Sequence, residues 1–282
     1  KDLLVKIKSV IIFYANLVIK LKLKSIRTLS YSSLKRLLES PKLFLNPIPF
    51  KSKYLSTGSL FDAIMTGDVN EKYVILDFIK PKPQHKEYLE NTLHCEDEEC
   101  ELEIYNEMGI KKEFKKFVAS LPEDYKQLLK EQKKIIVHKE DFDNVMAIID
   151  YVKEEIPDYF QTENDLFQFD DTFDYKDLKF RIMADWIKID HENRSILVID
   201  VKTSGFLPKF DESITKYGYN LQAVLYMLYF KIKFPEYSVR FEWMVISSSK
   251  KEFKLLEMNY FQEMLGEEML NDAIERYKFH TK

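Results

Sequence analysis

Two apolar runs separated by a short polar turn constrain the fold of this chain more than any other feature. Residues 180–187 carry one acid, Asp185, and the run that begins at residue 196 ends in Asp200-x-Lys202. Runs rich in β-branched and aromatic residues on both sides of a turn predict two paired β-strands. Because side chains alternate faces along a strand, we expect Asp200 and Lys202 to point the same way. The sequence therefore predicts a strand pair that ends in charged side chains.

These charged residues are suited to phosphodiester chemistry. Two carboxylates at the end of paired strands form a hard oxygen site for Mg²⁺ or Mn²⁺. A lysine beside them can orient or deprotonate a water and stabilise the charge that develops on a phosphate. Asp185 also stands between apolar neighbours, where a carboxylate without a partner is costly. We therefore predict Asp185, Asp200 and Lys202 as catalytic residues, and the two aspartates as metal ligands.

The same residues resemble a known family. Asp185 with the later Asp200-x-Lys202 is similar to the motif of the PD-(D/E)XK nuclease superfamily, and the Thr-Ser-Gly sequence at 203–205 resembles the residues after the lysine in phage and RecE-like recombination exonucleases. Downstream, residues 217–228 resemble the Gln-x-x-x-Tyr helix of the RecB-type and RecE-type branch. These blocks occur in the order that the family shows.

The resemblance implies supporting roles for further residues. Gln222 and Tyr226 share one helix face at their spacing, and with Ser204 they are predicted to support the site or to contact DNA. The backbone carbonyl of Val201 is a predicted additional metal ligand. A core helix that carries two polar residues would show the same Gln-x-x-x-Tyr spacing, so the helix alone does not decide between these interpretations.

An upstream block departs from the family pattern. Residues 32–41, with Ser33 as predicted N-cap, and residues 58–64 resemble the N-terminal helices of the same group. The family has Gly-x-x-x-His in the second segment, where this chain has Asp62. Three interpretations of Asp62 are open. It is a metal ligand, as an acid is in some relatives, or it marks weakened activity, or it is a solvent-facing residue.

The resemblance implies an α/β fold with a restriction-endonuclease-like PD-(D/E)XK core, in which helices flank a central mixed β-sheet, and an added helical N-terminal region. We predict residues 1–28 as an apolar and basic helix or extension. Residues 29–282 are predicted to form a single nuclease domain with a helical insertion at about 84–155. The implied activity is that of a Mg²⁺- or Mn²⁺-dependent exonuclease that resects double-stranded DNA ends in phage-type recombination.

The family also implies partners. Double-stranded DNA ends are the expected substrate, relatives form rings around DNA, and a homo-oligomer and a recombination or phage partner protein are therefore predicted. Two alternatives remain open. One is a catalytically silent scaffold that binds DNA or protein, and the other is a structural or packaged phage protein whose apolar N-terminus docks into an assembly.

Composition narrows the class of protein. The chain has 43 Lys and Arg against 47 Asp and Glu, a formal net charge of −4, which argues against coating nucleic acid by bulk electrostatics but allows a local basic groove. The apolar run at residues 9–19 is shorter than the roughly 20 residues that span a bilayer, so we predict no membrane partner.

The cysteines predict a compartment. Cys95 and Cys100 stand near His94, but a closed structural zinc site takes four ligands and no second Cys/His pair stands nearby. Free thiols in a reducing compartment are the expected state, which places the protein in the cytoplasm of the producing cell, the host cell if a phage encodes it.

Overall fold

The structure, a computed structural model, describes residues 28–47, 57–78, 80–131, 134–160, 164–247 and 250–281. These residues fall into two compact units, the first within residues 1–51 and 152–282 and the second within residues 52–151. The predicted N-terminal extension, residues 1–28, lies outside the described residues except for Thr28. The single domain predicted over residues 29–282, with its insertion at about 84–155, stays a prediction.

The chain alternates helices and strands. The helices are α1 (Tyr31–Glu39), α2 (Pro41–Leu45), α3 (Thr57–Thr66), α4 (Val69–Lys72), α5 (Pro83–Asn91), α6 (Glu98–Glu107), α7 (Phe114–Val118), α8 (Glu123–Glu131), α9 (Lys139–Glu155), α10 (Phe210–Lys216), α11 (Tyr219–Lys233) and α12 (Tyr260–Thr281). The strands are β1 (Thr28–Ser30), β2 (Tyr73–Leu76), β3 (Ile135–His138), β4 (Asp165–Tyr175), β5 (Leu178–Asp190), β6 (Ser195–Ser204), β7 (Ser238–Ser247) and β8 (Phe253–Glu257).

The first unit is built on a mixed sheet. Among the described residues its strand order is β1-β5-β6-β7-β8, and β4 also pairs with β5. The β1–β5 and β6–β7 pairs are parallel, whereas the β4–β5, β5–β6 and β7–β8 pairs are antiparallel. Helix α11 contacts β5, β6 and β7, and α12 packs on α11 and α1. The predicted α/β class, with a central mixed sheet flanked by helices, is confirmed.

The second unit has its own small sheet and core. Strands β2 and β3 pair in parallel, and the helices around them bury a separate cluster rich in aromatic rings. Its buried members are Tyr88, Leu89, Tyr105, Ile110, Phe117 and Tyr125. Edge-to-face ring contacts, such as that between Tyr88 and Phe117 at 5.1 Å between centroids, give this cluster directional packing beyond area burial.

The strand pair predicted from the sequence forms the centre of the sheet. Antiparallel β5 and β6 pair from Trp186↔Ile199 to Asp190↔Ser195. Their turn is stabilised by the Asp190 carboxylate, which accepts a hydrogen bond from the Asn193 amide at 2.9 Å. The charged residues Asp185 and Asp200 follow directly where this ladder ends, at the side away from the turn.

Helix α11 is the central helix of the first unit. Ten of its side chains are buried, and it begins after Gly218, whose φ of +69° suits glycine. Gly266 of α12 lies against it so closely that an added Cβ would come within 2.5 Å of the Asn220 carbonyl oxygen and 2.6 Å of Val224 Cγ2. The α11–α12 contact therefore requires glycine at position 266.

The start of α1 corrects a prediction from the sequence. Ser33 was the expected N-cap, but the helix begins at Tyr31 with Ser30 as its N-cap. Ser30 and Ser33 form a capping box in which each side chain hydrogen-bonds the backbone of the other. The tripeptide Thr28–Ser30 pairs with β5, and this tertiary contact places the chain reversal earlier than the local pattern indicates.

The cysteines provide a second correction. Free thiols were expected, but Cys95 and Cys100 form a disulfide, with their Cα atoms 5.6 Å apart. That separation lies in the range a disulfide can bridge, because the first turn of α6 carries Cys100 back over the loop that holds Cys95. The cytoplasmic location drawn from free thiols stays a prediction.

A buried polar chain covers the face of the sheet that carries Glu242. Its carboxylate accepts a hydrogen bond from the Tyr159 hydroxyl at 2.5 Å. The ammonium of Lys188 donates to the carbonyl of Tyr159 and lies 3.3 Å from Asp165, which also accepts from the Trp186 indole. Burial raises the pKa of the Glu242 carboxyl above its usual 4.5, although the Tyr159 hydrogen bond opposes the shift.

No helix among the described ranges is both long and apolar enough to cross a bilayer.

We expect Gly266→Ala to lower the free energy of unfolding by about 2 kcal/mol, because the new Cβ overlaps backbone and Val224 across the α11–α12 contact. Urea unfolding followed by circular dichroism measures the effect. Glu268→Ala, an exposed position on the same helix, is the matched control and should change stability little. Equal or higher stability of Gly266→Ala would contradict the close helix contact.

Glu242→Gln tests the buried polar chain through its pH dependence. Because the folded-state pKa of Glu242 is raised, its protonated form stabilises the protein fully below the ordinary pKa of 4.5, and this contribution is lost as pH rises through the raised value. The stability of the wild type relative to Glu242→Gln should therefore fall as pH rises above the ordinary pKa of 4.5. Thermal unfolding at several pH values measures this difference, and Glu236→Gln, at an exposed carboxylate, should show no such trend.

Candidate active site

Asp200 and Lys202 form an ion pair near the end of β6. Both project from the same face of the strand, and Lys202 Nζ lies 2.5 Å from Asp200 Oδ2. The Asp200 side chain is 1% exposed and that of Lys202 is 20% exposed. Asp200 pairs in register with Trp243 of β7, so the strand that carries the carboxylate stays paired on that side. The structure therefore places a buried carboxylate beside a lysine whose side chain is mostly buried.

Asp185 joins this pair from the neighbouring strand. The last paired residues of β5 and β6 are Trp186 and Ile199, so Asp185 stands just past the end of the ladder. Its Oδ2 accepts a hydrogen bond from the Val201 amide at 2.8 Å. Because Val201 separates Asp200 from Lys202, this bond fixes the Asp185 carboxylate beside the Asp-x-Lys segment. The divergence of the strands creates space for it.

Helix α11 supplies the third side of the cluster. Gln222 Nε2 donates to Asp200 Oδ1 at 2.8 Å and lies 3.3 Å from the Tyr226 hydroxyl. The one-turn spacing of Gln222 and Tyr226 thus places both on the face that meets β6. Burial raises the pKa of Tyr226 to about 12, so its hydroxyl stays protonated at neutral pH. The Gln-x-x-x-Tyr segment is part of the cluster and not only of the hydrophobic core.

Charge balance sets the state of Lys202. Burial alone lowers the pKa of a lysine, but the charges of Asp200 and Asp185 and the hydrogen bond to Asp200 outweigh it, and the pKa of Lys202 is raised. Lys202 is therefore an ammonium in this arrangement. It can donate hydrogen bonds and neutralise negative charge, which favours the orienting and charge-stabilising role over deprotonation of water.

Two tyrosines near the cluster were not identified from the sequence. The Tyr219 ring lies 5.0 Å from Lys202 Nζ, and Tyr31, at the start of α1, is close enough to Lys202 and Asp200 to feel their charges. Burial raises the pKa of both tyrosines. Tyr219 precedes Gln222 by one helical turn, a spacing that could have indicated it. Tyr31 carried no such signal, because only the tertiary fold brings α1 to this position.

The other predicted residues divide between the two units. Ser204 lies at the end of β6, and its Oγ accepts from the Phe206 amide at 3.1 Å, which shapes the turn after the strand. Val201 contributes its amide to Asp185. Asp62 lies on α3 in the second unit, where burial and, to a smaller extent, the charge of Asp62 raise the pKa of Tyr73. The role of Asp62 as a metal ligand stays a prediction.

The donor atoms of the cluster fit a hard divalent cation. Each ionised carboxylate offers about four lone-pair sites. Each oxygen of Asp200 makes one of the described contacts, Oδ1 with Gln222 and Oδ2 with Lys202, so further lone-pair sites remain on both. Gln222 Oε1 is buried and has no hydrogen-bond partner among the described residues, so a further polar oxygen is present beside Asp200. Mg²⁺ takes oxygen ligands and keeps several waters, which two carboxylates with a carbonyl can satisfy.

Comparison with known proteins gives a likeness of fold. No protein-family model matches this chain, and no curated protein matches it significantly. The crystal structure of a candidate exonuclease from Eubacterium rectale is similar over 90% of this chain and 81% of that chain, with 13% identity and a TM-score of 0.52. A solved protein named SSO0001 is 14% identical over 69% of this chain and 86% of its own, but its TM-score of 0.28 carries no argument.

The coupling between Asp200 and Lys202 can be measured as stability. We expect Lys202→Met to lower the free energy of unfolding by about 3 kcal/mol, because it leaves a buried carboxylate without its cation. Adding Asp200→Asn should recover about 1 kcal/mol or more, since Gln222 can still donate to the amide oxygen.

A double-mutant cycle from urea unfolding in the presence of a chelator isolates this coupling. Lys209→Met, at an exposed lysine in the same region of the chain, serves as control. Strictly additive effects of Lys202→Met and Asp200→Asn would mean that the ion pair does not stabilise the fold.

Proposed function

We propose that this protein is a divalent-metal-dependent deoxyribonuclease of the PD-(D/E)XK superfamily. The observation that carries the proposal is the cluster of Asp185, Asp200 and Lys202 where β5 and β6 diverge, with Gln222 bonded to Asp200. A carboxylate pair beside an ammonium is the minimal arrangement for metal-assisted phosphodiester hydrolysis. The shared fold with the Eubacterium rectale protein, whose name describes it as a candidate exonuclease, supports the same class.

The roles of the residues follow from their chemistry. In this proposal Asp185, Asp200 and the carbonyl of Val201 hold Mg²⁺ or Mn²⁺, and the family pattern suggests Asp62 as a further ligand. The bound ion supplies Lewis-acid stabilisation of the leaving oxygen and a more acidic water. Lys202 donates hydrogen bonds to the attacking water and to the scissile phosphate, whose negative charge grows during in-line displacement.

Gln222 positions the cluster in this proposal and does not take part in the chemistry. Its amide holds Asp200 Oδ1, which leaves the second oxygen for Lys202 and a cation. Tyr226 and Ser204 are also positioning residues in this proposal. Tyr226 contacts Gln222, and Ser204 shapes the turn after β6.

A surface suited to nucleic acid lies beside the cluster. Phe206 and Tyr217 are 57% and 42% exposed although they are aromatic. The ammonium groups of Lys35 and Lys216 lie within 5.9 Å and 5.4 Å of the Tyr217 ring centroid. Exposed rings can stack on bases and lysines can neutralise phosphates, so this combination supports DNA as the substrate despite the negative net charge.

The resemblance of the motifs implies a more specific activity than that of a nuclease. It implies an exonuclease that resects double-stranded DNA ends in phage-type recombination, acting as a homo-oligomer or with a partner protein. We retain these as proposals. The alternative of a packaged phage protein depends on the apolar run at residues 9–19, which lies outside the described residues.

Asp185→Asn tests the proposal with little disturbance of the fold. Asparagine keeps an oxygen that can accept from the Val201 amide but loses the charge that attracts a cation. With end-labelled linear and closed circular duplex, we expect the wild type to degrade only the linear form, and only with Mg²⁺ or Mn²⁺. Asp185→Asn should lower the rate by more than about 100-fold. This loss is larger than that expected for a residue that only hydrogen-bonds a metal ligand.

Two controls complete the experiment. Asp174→Asn changes an exposed carboxylate on the same sheet and should leave the rate unchanged. Binding of duplex DNA, measured by fluorescence anisotropy in Ca²⁺, should survive in Asp185→Asn, because Ca²⁺ fills oxygen sites without positioning water well. DNA binding by a wild type that shows no metal-dependent hydrolysis would instead identify a silent scaffold, and cleavage of circles would identify an endonuclease.

A further inference from the structure

The loop between α5 and α6 in the second unit gathers three potential metal ligands. His94, Cys95 and Cys100 each offer one ligand atom, and these atoms all lie within 4.8 Å of one another. In the part of the chain that the structure describes, no other group of three or more histidine, cysteine or acidic side chains brings its ligand atoms this close together. None of them contributes to the proposed nuclease chemistry. The group therefore requires its own explanation.

Backbone contacts hold the ligands in place. The Cys95 amide donates to the Thr92 carbonyl at 3.0 Å, which closes a turn before the loop. The Cys100 amide donates to the N-cap carboxylate of Asp97 at 2.8 Å, which anchors the first turn of α6. Both cysteines thus stand on backbone that is fixed by hydrogen bonds other than the disulfide. These hydrogen bonds do not involve the S–S bond, and the two cysteines are five positions apart in sequence, so a common ion is within reach of both sulfurs after reduction.

We propose that, when the disulfide is reduced, His94, Cys95 and Cys100 bind a Zn²⁺ ion with water as the fourth ligand. Thiolate and imidazole are the donors that zinc prefers, and three protein ligands with one open position are a recurrent zinc arrangement. Two thiolates balance the charge of the ion. The cysteine pair therefore holds either a disulfide or a metal, and the redox state of the surroundings selects between them.

The flanking charges favour the cation. The loop and the first turn of α6 carry four consecutive acids, Glu96, Asp97, Glu98 and Glu99. Their field raises the local concentration of cations, and it opposes free thiolates that lack a metal. Carboxylates alone would select a hard ion such as Mg²⁺, whereas the sulfur and nitrogen ligands select Zn²⁺. The ligand chemistry thus separates this site from the oxygen cluster on β5 and β6.

The exchange between the two states is balanced in electrons and protons. A dithiol reductant gives two electrons and two protons, the bond between Cys95 and Cys100 breaks to leave two thiols, and the reductant becomes a disulfide. Zn²⁺ then displaces the two thiol protons to the solvent as it binds the thiolates. Oxidation by a disulfide of low molecular weight reverses the sequence and releases the ion.

Metal titration of the 282-residue chain tests the proposal. The protein, reduced with a phosphine, is titrated with Zn²⁺ against a chromophoric chelator, and the same protein with its disulfide intact serves as comparison. We expect the reduced protein to bind one tightly held ion more than the oxidised one, and this difference, to which the oxygen cluster on β5 and β6 does not contribute, is the Zn²⁺ binding that the variants test. Co²⁺ in place of Zn²⁺ should show the intense near-ultraviolet absorption of cobalt–thiolate bonds, and this readout on the wild type does not depend on any variant being folded.

Variants assign the ligands. Cys95→Ser and Cys100→Ser should abolish binding, and His94→Ala should weaken it at least tenfold, whereas His191→Ala, at an exposed histidine of the first unit, should bind as the wild type does. Asp185→Asn should also leave Zn²⁺ binding unchanged, which keeps this test separate from that of the nuclease. Equal binding by the oxidised protein, a cobalt spectrum without thiolate bands, or displacement by millimolar Mg²⁺ would each overturn the proposal.

Discussion

The side chain of Asp200, which lies within β6 and is 1% exposed, is the buried polar group on which the arrangement of the first unit depends. Removing such a group from water costs several kcal/mol unless nearby charges and hydrogen bonds compensate. Lys202 compensates one oxygen and Gln222 the other, so strand and helix must dock in one register. This requirement links the position of α11 to the sheet and keeps a reactive group in a dry, fixed environment.

The sheet makes this arrangement possible through its mixed topology. Strands β5 and β6 are antiparallel and part beyond Trp186, whereas β6 and β7 are parallel and stay paired to the end of β6. Asp185 can therefore turn toward Val201 while Asp200 remains enclosed. Gly266 of α12 packs closely against Asn220 and Val224 and so supports α11. The packing of α12 thus contacts α11 on both sides of Gln222 in sequence, at Asn220 and Val224.

The two units present different ligand chemistry. Oxygen donors meet an ammonium on β5 and β6, in the setting that phosphate chemistry with a hard cation requires. Sulfur and imidazole donors meet in the loop before α6, in an acidic field that suits a softer ion. Because the donor types differ, the two proposed sites would select different metal ions.

Sequence alone determined what depends on local pattern. Alternation and β-branched content identified the β5–β6 pair, and spacing identified the shared face of Gln222 and Tyr226, because strand and helix periodicity are properties of neighbouring residues. Contacts between distant segments were decided only by the tertiary structure. Tyr31 reaches the cluster because β1 pairs with β5, and that same pairing includes Ser30, the N-cap from which α1 begins at Tyr31. Such contacts are separated by long stretches of chain, and no local pattern encodes them.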